Sequence, residues 1–237
     1  MIIVIASSAV YAAGRYLYHS RTRRTVQPQK DGITMGKIDE KKQHKEERLL
    51  ETAFSLFTSK GMSKTSVADI AASAGIAKGT FYLYFHDKYE LGNKLIAHKS
   101  ASLFRHAIAT MNQSQAETVE DQMIIIIDDL LNQLQANPIL LRFINKNLSW
   151  GIFQNALNQT DAVSDISYKE YFTQMIRSQK DTIWIEPMLM LYTIVELVGS
   201  SCYSVILEQN PVGLEQYKPF LYDSVRAIIR THQRKKS

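Results

Sequence analysis

A chain of 237 residues, 45% hydrophobic and 22% charged, carries enough apolar side chain for a buried core and too much for a disordered polymer. Five prolines and ten glycines argue against a turn-rich sheet protein, and the single cysteine, Cys202, excludes an intramolecular disulfide scaffold and points to a reducing compartment. The net charge of +5 is unevenly spread: residues 35–110 hold 12 Lys/Arg against 8 Asp/Glu, and residues 111–225 hold 6 against 14, as expected when a nucleic-acid-reading module precedes one that does not touch nucleic acid.

Residues 1–34 are an apolar and then basic extension. Met1–Ala13 is apolar or small, Arg15 follows, and Arg21, Arg23 and Arg24 lead into a polar stretch. The run lacks the basic start of a secretory signal and is interrupted before the roughly 20 apolar residues a membrane span needs. Two readings stay open: a mis-called start, with translation beginning at Met35, or a weak membrane anchor with the arginines on the cytoplasmic side.

From Lys41 the pattern is helical. Leu49, Leu50, Ala53, Phe54, Leu56 and Phe57 recur at three- and four-residue spacing, and Gly61 is placed to end the helix with positive φ. Ser66-Val67-Ala68-Asp69 has the capping-box form that opens a short second helix. Gly75 stops that helix, small Ala71 permits a close crossing, and Ile76 plugs the turn. A third helix is expected over Ala77–Tyr84. Asp87-Lys88-Tyr89-Glu90 repeats the capping logic for a fourth helix that runs toward Met111. Short helices joined by a few residues that include glycine make a helix-turn-helix, here residues 66–85.

The segment TSVADIAASAGIAKGTFYLYFHDKYEL, Thr65–Leu91, resembles the DNA-binding signature of the TetR/AcrR repressor family, and the resemblance extends over about residues 44–105. It implies that the third helix enters the major groove, with Lys78 and Thr80 toward base edges and Gly79 allowing close backbone approach. It assigns Tyr82, Tyr84, Thr65, Ser66 and Lys88 to phosphates. Phe81 and Phe85 are expected in the core. Ala77 departs from the Ser or Thr frequent at that cap, and His86 stands where a small polar or basic residue is common. A plain surface-tyrosine bundle explains the apolar spacing, but not two capping boxes, a glycine turn and a Lys-Gly-Thr helix start together.

Residues 111–237 read as helices over Thr118–Gln135, Ile139–Trp150, Tyr168–Lys180, Ile183–Gln209 and Gly213–His232. Asn155–Ser167 is a polar loop with Thr160-Asp161 and Ser164-Asp165 as candidate caps. Pro187 is expected in the first turns of its helix or as a bend in it. The fold is expected to be all-α, and the resemblance implies an N-terminal three-helix DNA-binding domain followed by a C-terminal bundle for ligand binding and dimerisation. Ile183–Gln209 is apolar nearly all round and must be buried on several sides. By the resemblance, it and the last helix pair with their copies in a second subunit. Phe143, Trp150, Phe153, Phe172, Met175, Met188 and Tyr192, with Tyr168 and Tyr203, are candidate linings of an apolar ligand pocket.

No glycine-rich phosphate loop, nucleophile elbow or metal spacing occurs, so no enzyme, cofactor or metal site is expected, and Cys202 reads as inert packing. The reading is a cytoplasmic, nucleoid-associated, homodimeric repressor that binds a palindromic operator in double-stranded DNA. A small hydrophobic inducer would release it. The alternative is a membrane-tethered helical interaction protein anchored by Met1–Tyr18.

Overall fold

A computed structural model describes residues 34–147, 156–158 and 167–236. Trp150, Phe153, the caps proposed at Thr160 and Ser164, and all but the last residue of the 1–34 extension therefore lie outside the described residues. The chain falls into two compact units, residues 1–41 and 42–237. The first is described only from Thr34, where α1 (Thr34–Ser59) begins, earlier than the Lys41 the periodicity indicates.

Two short helices follow α1: α2 (Val67–Ser73) and α3 (Lys78–Phe81). Then come α4 (Lys88–Asn112), α5 (Val119–Ala136) and α6 (Pro138–Asn147). Asn137-Pro138 separates α5 from α6 as expected, and the Asn137 side-chain oxygen accepts from the Leu140 N–H at 3.0 Å. Helix α7 (Tyr168–Ser178) is capped by Ser167, whose hydroxyl accepts from the Glu170 N–H at 3.1 Å.

The long apolar stretch after Asp181 is not one helix. Thr182–Trp184 is a strand, β1; helix α8 spans Pro187–Leu207 and α9 spans Leu214–Thr231; Gln233–Lys235 is β2. The strands pair antiparallel, with Ile183 opposite Arg234. The cause is Pro187: it sits in the first turn of α8, and the residue before a proline is kept out of the helical region. Glu186 takes φ +46°, ψ +55° instead, so Ile183 and Trp184 cannot continue the helix and pair with the chain's end. The fold is otherwise helical throughout the described residues.

Within residues 42–237 the apolar side chains form two principal clusters. One gathers Leu49, Ala53, Phe57, Ile70, Phe81, Phe85, Leu91 and Leu95 of α1–α4 with Leu140, Phe143 and Ile144 of α6. The other gathers Met123, Ile127, Leu131, Phe172, Met190, Ile194, Val225 and Ile229 of α5 and α7–α9. Helix α8 is long and apolar enough to cross a membrane by length and composition, yet Met190, Leu191, Ile194, Cys202 and Val205 belong to this core. It is not covered on every side, because Leu189, Tyr192, Glu196, Gly199 and Ser200 remain exposed. Burial pushes the Cys202 thiol up to about 11, as suits a packing residue.

Charged groups tie α9 to α5. Arg230 makes a forked contact with Glu120 at 2.8–3.1 Å, and Arg226 reaches Asp121 at 2.8 Å. The Tyr222 hydroxyl donates to Asp128, which also pairs with Lys218 at 2.9 Å. Leu131 is fully buried at the centre of α5. Its truncation, Leu131→Ala, is expected to lower unfolding free energy by about 2–5 kcal/mol in a denaturant titration.

Candidate nucleic-acid interface

Ser66 opens α2 as the sequence indicates. Its hydroxyl accepts from the Asp69 N–H at 3.1 Å, and the Asp69 carboxylate accepts from the Ser66 N–H at 2.8 Å. The Ser66 N–H, and after it the Ser66 hydroxyl, hold the Asp69 carboxyl below its ordinary range. Helix α2 ends at Ala74, and Gly75 turns the chain with φ +65°. The Ile76 N–H closes the turn on the Ala71 carbonyl at 3.0 Å. A side chain on Gly75 would be strained by that φ and would crowd the Arg48 guanidinium. Arg48 donates to the Ala74 carbonyl at 2.5 Å, a fastening of α1 to the end of α2. The sequence shows Arg48 only as one charge on a polar helix face.

Helix α3 is shorter than expected. Ala77 offers no side-chain cap, and regular α-helix covers only Lys78–Phe81. The chain continues in tight turns, with the Leu83 N–H on the Thr80 carbonyl at 3.1 Å and the Tyr84 N–H on the Phe81 carbonyl at 2.9 Å. The missing cap and a run of residues with modest helix propensity account for the early end. Its inner side is firm: Phe81 is fully buried and Phe85 nearly so, their rings 5.8 Å apart. On the outer side Lys78, Gly79, Tyr82 and Leu83 are exposed, and Thr80 and Tyr84 are half-exposed. Leu83, 78% exposed, was not singled out from the sequence. Its place between two tyrosines of an aromatic run marks it as core by composition alone.

Helix α4 begins at Asp87, whose carboxylate accepts from the Tyr89 and Glu90 N–H groups at 2.8 Å. The Glu90 carboxylate accepts from the His86 N–H at 2.5 Å, one residue earlier than the Asp87 N–H of a standard capping box. His86 itself is exposed and lies 3.5 Å from Asp87.

Two of the residues that the resemblance assigns to phosphates are engaged within the fold. Thr65 is 1% exposed; its hydroxyl donates to the Gly61 carbonyl at 2.9 Å and is turned inward to close the loop after α1. The Lys88 ammonium is already engaged, donating to the carbonyls of Met62, Ser63 and Thr65 at 2.9, 3.1 and 2.8 Å. Those carbonyls belong to the loop between α1 and α2, and a cation that donates to all three clasps that loop to the start of α4. Ser66, Lys78, Gly79, Thr80, Tyr82 and Tyr84 are the residues of that set which the folded chain presents outward.

A cavity of about 330 Å³ is lined by α4–α8 and Leu157. Phe172 and Met175 line it, as does Tyr168. Phe143, Met188 and Tyr192 do not. Phe143 packs edge-on against Phe54 at 5.4 Å in the reader's own cluster, Met188 packs half-buried against the α5 and α7–α9 core, and Tyr192 is on the exposed side of α8. The lining that the aromatic residues did not reveal comes from aliphatic positions on α4 and α5, such as Leu103, Ile108, Ile126 and Leu130. Among the described residues no group of three or more His, Cys, Asp and Glu is placed to hold a metal.

Residues 49–94 match the family model described as bacterial regulatory proteins, tetR family. The uncharacterized HTH-type transcriptional regulator YvdT of Bacillus subtilis (strain 168) is 36% identical over 87 residues, 37% of this chain and 41% of that protein. The chain thus matches less than half the length of such curated relatives. Solved structures align more widely at low identity. A TetR family transcription regulator from Marinobacter aquaeolei VT8 gives a TM-score of 0.54 at 15% identity, covering 81% of this chain and 98% of the other. The transcriptional regulator FadR of Bacillus subtilis, in complex with stearoyl-CoA, gives 0.50 at 16% identity, covering 75% and 96%.

Replacing Lys88 by Met is expected to cost about 1–3 kcal/mol of stability, because three carbonyls lose a charged donor. Thermal melting checks this, and the salt dependence of DNA binding should be unaltered. The Asp87 carboxyl is held below its ordinary range, chiefly by the Glu90 N–H. Its cap therefore contributes in full above about pH 4 and is lost as pH falls through the lowered native value. Melts from about pH 5 to pH 2 should show a shallower acid loss in Asp87→Asn, whose cap carries no titrating charge.

Proposed function

We propose, on the premise that this chain belongs to the TetR family through its domain at residues 49–94, that it is a homodimeric transcription repressor. It binds a palindromic operator and is released by a small hydrophobic ligand. The observation that carries this reading is the exposed start of α3. Lys78, Gly79 and Tyr82 stand outward over a buried Phe81, the arrangement needed for a short helix to enter a major groove with its first residues at base edges. Lys78 suits the acceptors of guanine; Thr80 brings a hydroxyl and a methyl. Tyr82, Tyr84 and Ser66 serve the flanking phosphates, and Gly79 lets the backbone approach.

Dimerisation is supported by what α8 and α9 leave uncovered: Leu189, Tyr192 and Phe220 are exposed, and two reading helices about 34–36 Å apart would address successive grooves. The apolar cavity supports ligand control, and FadR, of similar fold, is in complex with stearoyl-CoA. Helices α4 and α6 give such control a route. Leu103 and Ile144 line the cavity and also belong to the reader's cluster, so a ligand that prefers one arrangement of these helices biases DNA affinity by the same free energy. A cytoplasmic location and the lack of a catalytic role are parts of this reading.

Selection of duplexes from a random pool, followed by mobility shift, tests it. The wild type is expected to enrich a palindrome and to sediment as a dimer. Lys78→Ala should relax the preference at one position of each half-site, worth about 1–3 kcal/mol. Indiscriminate binding to all duplexes, or single subunits with and without DNA, overturns the reading.

A further inference from the structure

Two residues that line the cavity, Ser100 on α4 and Tyr168 at the start of α7, bear buried hydroxyls with no hydrogen-bond partner among the described residues. Both residues are more than nine-tenths buried. A serine within a helix usually returns its hydroxyl to a carbonyl one turn earlier, and a buried tyrosine usually finds an acceptor. Leaving either group unpaired in an apolar interior is penalised. The other polar groups at the wall are otherwise occupied or lie at its edge. The Tyr171 hydroxyl donates to Asn112 at 2.6 Å, and Asn145, Glu196 and Ser200 are exposed. The rest is aliphatic or aromatic, with Leu103, Ile127, Leu131 and Ile194 prominent.

Charge narrows the occupant further. Among the described lining residues there is no lysine, arginine or histidine, and the one carboxylate there, Glu196, belongs to the exposed face of α8. An anion entering this cavity would lose its hydration with no cation to replace it. A cation would need Glu196, which is not buried with the two hydroxyls. At about 330 Å³ the space is at the small end of ligand sites, which run from about 300 to 1,000 Å³.

We infer that this cavity takes an uncharged, medium-length lipophile carrying one hydroxyl or carbonyl oxygen, which Ser100 and Tyr168 read together. The inference rests on the ligand-controlled reading above, and it names the chemistry of the ligand. Ser100 lies on the helix whose earlier residues Leu91, Leu95 and Ile96 are in the reader's core, so the polar contact is made on the element that also bears the DNA-binding unit.

The test is direct binding to the purified full chain of three ten-carbon probes at about pH 7.5, where decanoate and decylamine are both charged and 1-decanol is not. Isothermal titration should show 1-decanol binding at least about tenfold more tightly than either ion. Ser100→Ala and Tyr168→Phe should each weaken 1-decanol by about fivefold, the worth of one hydrogen bond. Each variant should melt at or above the wild-type temperature, since it removes an unpaired buried hydroxyl. Decanoate or decylamine binding as tightly as 1-decanol, no saturable 1-decanol binding, or unchanged affinity in both variants overturns the inference. A mobility shift run beside the titration separates the two readings. Saturable decanol binding that leaves the DNA complex intact sinks ligand release and keeps the cavity chemistry. Release of DNA by decanol, with affinity unaltered in both variants, sinks the cavity chemistry and keeps ligand release.

Discussion

The reading unit depends on the burial of Phe81. A helix of four residues has no stability of its own, because nucleation costs more than one turn of hydrogen bonds returns. Helix α3 exists in this chain because Phe81 is fully enclosed by α1, α2 and α4 side chains and Phe85 seals its far end. The capping box of α2, the positive φ at Gly75 and the Arg48 fastening then fix the angle at which α3 leaves the core. Every outward residue takes its direction from that buried ring.

Much of this was legible in the sequence because the local chemistry is strong. Ser66 with Asp69, and Asp87 at its helix start, announce caps. Gly61 and Gly75 announce left-handed turns, and both adopt them, at φ +86° and +65°. The spacing of Leu49, Leu50, Ala53 and Phe57 announces the core face of α1. What the sequence hid has a common physical cause. The roles of Arg48, Lys88 and Thr65 are set by carbonyls far along the chain, and a cation bound for solvent looks the same in sequence as one bound for a loop. Lys88 is assigned to phosphates by the resemblance; its three carbonyl partners become visible only in the fold.

The C-terminal half was less legible for a different reason. Uniform apolarity fixes burial but not direction, so α8 could be recognised as a core helix without revealing which side it leaves open. The break before Pro187 was carried by one residue's backbone restriction, outweighed in the sequence by a run of hydrophobic neighbours. The cavity walls are hidden in the same way. Aromatic and sulfur side chains mark Phe172 and Met175, which do line it, but equally Phe143, which packs in the α1–α4 cluster, while the aliphatic flanks of α4 and α5 do much of the enclosing.

The division of labour within α3 has an evolutionary consequence. Since Phe81 and Phe85 anchor it from beneath, and Ala77 contributes no cap, the outward positions 78, 79 and 83 contribute little to folding. Substitutions there can accumulate without being filtered by foldability. On the proposed function, a duplicated copy of this gene could therefore drift to a new DNA site through neutral intermediates, its scaffold and its pocket inherited unchanged.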